Sequence, residues 1–110
     1  MEAPFCVRRE DESEVAVLVV EGDVDIATAP ELRRELESIG AGVNVVVDLC
    51  ETRFMDSTGL GVLFAAHGAM NGGLRVACKP GGPIGRLFDV SFAGEHLRSY
   101  KSRVAALADL

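Results

Sequence analysis

The chain has no tryptophan, one tyrosine and five phenylalanines, so its core has to be built from aliphatic side chains. Histidines are few: His67 and His96 are the only two, and they lack a paired spacing. Three cysteines, Cys6, Cys50 and Cys78, are odd in number and far apart, with no Cys-x-x-Cys. A disulfide framework or a metal centre needs paired or clustered ligands. The expectation is therefore no metal, no cofactor and three reduced cysteines in the core or at strand ends. Basic residues are also scarce, with 11 Lys and Arg against 17 Asp and Glu, a net charge of −6. Phosphate contacts need clustered Lys and Arg, which argues against direct nucleic-acid binding. No apolar run reaches the ~18 residues of a membrane span, and no charged-then-apolar leader opens the chain. The expectation is a cytoplasmic protein with no membrane partner. No Gly-Lys-Ser/Thr is present, so a P-loop is excluded.

What remains is a composition of 48% hydrophobic and 25% charged residues, enough for one domain over residues 1–110. Phe5 to Arg9 reads as a short strand, and Glu10 to Glu14 as a charged turn. Val15 to Glu21 is an apolar strand of the kind found centrally in sheets. The short connection makes the pair an antiparallel hairpin. Gly22-Asp23-Val24-Asp25 then reads as a turn whose two carboxylates either serve the turn or border a functional face. Thr28 fits a helix N-cap, with Pro30 in the first turn and Glu31 placed for a capping box. Ala29, Leu32, Leu36 and Ile39 follow at helical spacing, and Gly40 ends the run. Val43 to Leu49 is a buried strand, which makes a parallel βαβ unit.

A second helix runs from Leu60 to Met70, with Leu60, Leu63, Phe64 and His67 on one face; His67 reads as a helix-face residue, not a base. Asn71-Gly72-Gly73 breaks it, and Leu74 to Cys78 is the next parallel strand. Lys79 to Pro83 is a stiff loop into a third helix carrying Ile84, Leu87, Phe88 and Val90. His96 to Tyr100 reads as an edge strand. Ser102 to Leu110 reads as a closing helix, with Val104, Leu107 and Leu110 on one stripe. The fold class is α/β: a mixed sheet, hairpin plus parallel strands, with about four helices.

The chain is organised around Phe54-Met55-Asp56-Ser57-Thr58-Gly59-Leu60-Gly61, a strand-loop-helix junction. A helix start presents unpaired backbone N–H groups, and Ser57 or Asp56 can cap it. Gly59 and Gly61 fall in the first turn, where each costs up to ~1 kcal/mol relative to alanine. Two such glycines point to a surface kept bare for close approach. A hydrolase nucleophile elbow needs glycine two before and two after the serine. Gly59 satisfies the second position, but Met55 occupies the first, and no histidine is placed as a base.

Val45-Val46-Val47-Asp48-Leu49, followed by Phe54 to Leu63, resembles the signature of bacterial anti-sigma-factor antagonists of the STAS family. Gly22 to Asp25 and Thr28 to Leu32 resemble that family's second block, and the likeness covers about residues 5–90. The resemblance implies a non-enzymatic STAS domain whose serine, matched here by Ser57, is phosphorylated by an anti-sigma kinase of the GHKL type. A PP2C-type phosphatase would reverse the modification. The unphosphorylated form would bind the kinase and free a sigma factor. Asp23, Asp25, Asp56, Ser57, Thr58, Gly59 and Gly61 would form the partner-binding face, at the carboxyl end of the parallel strands. The protein would be a monomer or weak dimer. Ser91-Phe92-Ala93 and Ser102-Arg103-Val104 depart from the family pattern, which bears on partner choice more than on fold. Competing readings are a module of a stressosome-like or transporter-associated assembly, a nucleotide- or lipid-binding STAS protein, and a hydrolase using Ser57.

Overall fold

The computed structural model describes residues 4–71, 73–90 and 97–109. Its sheet is built on β2 (Ala16–Val24), whose first five residues are all buried. A strand covered on both faces needs such a run. β1 (Cys6–Arg9) pairs antiparallel with it, Val7 opposite Val20. Ser13 and Glu14 turn the hairpin, both with positive φ (47° and 69°). β3 (Val45–Asp48), β5 (Leu74–Ala77) and β6 (Arg98–Tyr100) continue the sheet in parallel, in the order β1-β2-β3-β5-β6. β2 also pairs in parallel with β4 (Thr52–Met55), at its carboxyl end. The helices are α1 (Ala29–Glu37), α2 (Ser57–Ala69), α3 (Pro83–Val90) and α4 (Arg103–Ala108).

Strand alternation divides the core between the two faces of the sheet. On one face Leu18, Val20, Val24, Val45, Val47, Leu74 and Val76 pack with Leu32, Leu36, Leu63 and Phe88 of α1, α2 and α3. On the other, Val15, Val17, Val19, Val46 and Ala77 pack against Ala106 and Leu107 of α4. Arg103 ties the start of α4 to Asp48 (3.2 Å), Glu10 (3.1 Å) and Glu12 (3.5 Å).

The mixed α/β architecture is the one expected, with local corrections, beginning with strand β4, which lies where the sequence reads as a loop before α2. Gly22, Asp23 and Val24 are strand, not turn: they extend β2 to pair with β4 across a register shift. Gly22 has φ +89°, and a Cβ there would lie 3.0 Å from the Cα of Phe5, so the bulge needs glycine. Thr28 occupies the N-cap position but does not cap, and no capping box with Glu31 forms. Its hydroxyl instead donates to the carbonyl of Asp23 (2.8 Å) and accepts from the N–H of Asp25 (2.9 Å). In α4, Leu107 packs on the sheet as expected, but Val104 is 76% exposed and Ala106 takes the inward place instead. Ser102 fixes that phase by capping the N–H of Ala105. His96, Ser91-Phe92-Ala93, Gly72 and Leu110 lie outside the described residues.

Candidate functional site

Two chain segments meet beyond the carboxyl ends of β2 and β4. β4 ends at Met55, opposite Val24, and the N–H of Asp56 donates to the carbonyl of Val24 (3.1 Å). The start of α2 is thereby fixed to the end of β2. Asp23 pairs with Phe54 in the register and Asp25 follows Val24, so Asp23, Asp25 and residues Asp56 to Gly61 are at one end of the sheet.

Asp56 is the cap of α2. Its Oδ1 accepts from the N–H of Thr58 (2.9 Å) and Gly59 (3.2 Å), and its carbonyl accepts from Leu60 (3.1 Å). The helix start is therefore not an open row of donors: the N–H of Asp56 is taken by Val24, and those of Thr58 and Gly59 by the Asp56 carboxylate. Ser57 is the first helical residue and is exposed, as are Thr58 and Gly61. A Cβ at Gly61 would meet nothing within 4 Å.

Gly59 differs from the sequence expectation of a bare, exposed glycine. It is buried, and a Cβ would lie 2.7 Å from Cγ of Met55 and 2.8 Å from Cγ1 of Val24. Its role is to let the first turn of α2 press against the β2–β4 pair.

The carboxylates have separate duties. Asp25 Oδ1 accepts from the N–H of Ala27 (2.9 Å) and Thr28 (3.1 Å), and its carbonyl accepts from Ala29 (2.8 Å). Together with the Thr28 hydroxyl this locks the β2–α1 loop. Asp23 Oδ1 is sealed from solvent and has no partner among the described residues. Two apolar side chains border the site: Ile26, at the tip of the locked loop, is 77% exposed, and Phe54 is 51% exposed. Sequence reasoning missed both as surface. Phe54 turns outward because Met55, its neighbour on β4, faces the core, and that strand forms only by pairing with the end of β2. Nothing local marked Ile26.

Cys50 and Cys78 close β3 and β5 at this end but belong to opposite faces of the sheet. Burial, reinforced by neighbouring Asp48, pushes the Cys50 thiol up to about 12. Burial also raises Cys78, with a contribution from Asp89. Both shifts suppress the reactive thiolate.

A family model described as "Mlab, STAS domain" matches residues 7–80. An anti-sigma F factor antagonist from Paenibacillus polymyxa is 29% identical over 101 residues, 87% of this chain and 86% of that one. Among solved structures, an anti-sigma factor antagonist from Mycobacterium paratuberculosis superposes with a TM-score of 0.88 at 25% identity, over 99% of this chain and 97% of the other. The Bacillus cell fate determinant SpoIIAA in its phosphorylated form shares the fold, with a TM-score of 0.64 at 19% identity, over 96% and 98% of the two chains.

Proposed function

Because the chain belongs to the STAS domain family, we propose that it is an anti-sigma factor antagonist, a binding module switched by phosphorylation of Ser57. The observation that carries this reading is the placement of Ser57. It is an exposed hydroxyl on the first residue of α2, tethered to the end of β2 and bordered by exposed Phe54 and Ile26. The similarity to the Paenibacillus anti-sigma F factor antagonist, which runs over most of both chains, supports the role. The partners are an anti-sigma kinase of the GHKL type and a PP2C-type phosphatase, in the cytoplasm. The domain contributes the acceptor and the surface, and the kinase contributes the chemistry.

The physics of the switch follows from the cap. A phosphoryl group adds about −1.5 to −2 charge at pH 7. At the first residue of a helix the dipole favours an anion, but the nearest donors are already held by Asp56. The phosphate therefore projects outward beside a carboxylate, changing the charge and shape of the surface while the fold beneath it stays. A partner that packs closely over Ser57 and Gly61 loses that contact.

The test is to incubate the protein with a GHKL-type kinase of the same organism and ATP, and to map the modified residue by mass spectrometry. Modification of Ser57, absent in Ser57→Ala, is the expected result. Modification confined to Thr58 contradicts the assignment.

A further inference from the structure

The strand register lines up Val17, Val46, Arg75 and Arg98 in one row, on the face of the sheet that α4 covers. The two valines are buried and apolar. The two arginines are directly opposite one another on adjacent parallel strands. Arg75 is only 9% exposed, and its Nε and Nη1 are sealed from solvent without a hydrogen-bond partner among the described residues. Arg8, Arg9 and Arg103 each pair with a carboxylate; neither Arg75 nor Arg98 forms an ion pair with a described residue.

A guanidinium stays charged at every pH a folded protein meets. Buried N–H donors left unmade carry the full desolvation cost. Two like charges opposite each other on one sheet face repel. Both costs fall together if an anion is held between the two side chains, because guanidinium forks bind oxyanions through paired, charge-assisted hydrogen bonds.

We propose that Arg75 and Arg98 form a binding site for the oxyanion group of a ligand, a phosphate or a carboxylate. Arg75 is the second residue of β5, on the opposite face of the sheet from α2. The site is separate from Ser57, and its occupancy does not depend on the phosphorylation state there.

The experiment is a thermal melt of the wild type, Arg75→Met and Arg98→Gln in inorganic phosphate, in acetate and in chloride at matched ionic strength. A ligand that binds the native state raises the melting temperature with concentration. The expected result is a phosphate- or acetate-dependent rise over chloride in the wild type. Arg98→Gln should show an apparent affinity roughly ten-fold weaker, and Arg75→Met no rise. A response to phosphate alone assigns a phosphate ligand; an equal response to acetate assigns a carboxylate. If Arg75→Met does not fold, the Arg75 Nε–H resonance of the wild type is followed through the same titrations, and its shift is the expected result. No gain over chloride, an equal gain in wild type and Arg75→Met, or an unmoved Nε–H resonance overturns the site.

Discussion

Gly59 and Gly61, separated by Leu60 near the start of α2, have opposite roles. Gly59→Ala forces a Cβ to within 2.7 Å of Met55 and 2.8 Å of Val24, so it should lower stability by about 1–3 kcal/mol, as overpacking does. Gly61→Ala meets open space and should leave stability unchanged or raise it by up to ~1 kcal/mol, while weakening any partner that packs over Ser57. Thermal melts of the two variants check both signs; equal losses would contradict the division. Asp56→Ala removes the acceptor of two N–H groups and should cost about 1 kcal/mol in a denaturant titration. That Asp56 and not Ser57 caps the helix was open in the sequence, since both residues have the needed oxygen. Backbone geometry decides it: Asp56 is extended at ψ −173°, held by the bond from its N–H to Val24. The distinction between Gly59 and Gly61 was equally hidden, because it depends on Val24, thirty-five residues away in sequence.

Elements whose reasons are local were legible, and those set by distant contacts were not. The β1–β2 hairpin, α1, α2 and the parallel order of β2 and β3 follow from periodicity and short connections. β4 was invisible as a strand, because four residues become one only by pairing with the extended end of β2. The phase of α4 was misread at Val104 for the same reason: Ser102, Arg103 and the sheet beneath determine which residue points inward. Arg103 ties that short helix down beside the Ser102 cap and the packing of Ala106 and Leu107. Glu10, which pairs with Arg8 and then with Arg103, has a folded-state pKa below its usual value of 4.5. A depressed carboxylate contributes stability above its unfolded pKa, and that contribution is lost as pH falls through the folded value. The stability difference between wild type and Arg103→Gln should therefore be fully present above the ordinary carboxylate value of 4.5 and shrink as the pH falls below it. A constant difference between them across the acid range would contradict the clasp. At the hairpin tip, Ser13 and Glu14 hold positive φ without being glycine. Glu14→Gly should gain on the order of 0.5 kcal/mol, since left-handed backbone disfavours a Cβ, and a lower melting temperature would contradict this.

For the whole molecule, a small α/β domain presents one serine at the carboxyl end of its strands on a rigid base. Asp25 and Thr28 lock the neighbouring loop, and Asp56 and Gly59 fix the helix start. Modification of Ser57 should leave the melting temperature and backbone resonances away from residues 54–61 unchanged, because that residue is exposed at the start of α2. The proposed switch would therefore belong to the surface and not to the fold. The measurement that tests this most directly is the affinity of the GHKL-type kinase for the unmodified and the Ser57-phosphorylated protein, by calorimetry under one set of conditions. The account predicts tight binding of the unmodified form and of Ser57→Ala. Phosphorylation should weaken binding by at least about tenfold, ~1.4 kcal/mol, with no loss of folded protein. Equal affinity for the two forms, or loss of binding only where the fold is also lost, would contradict it.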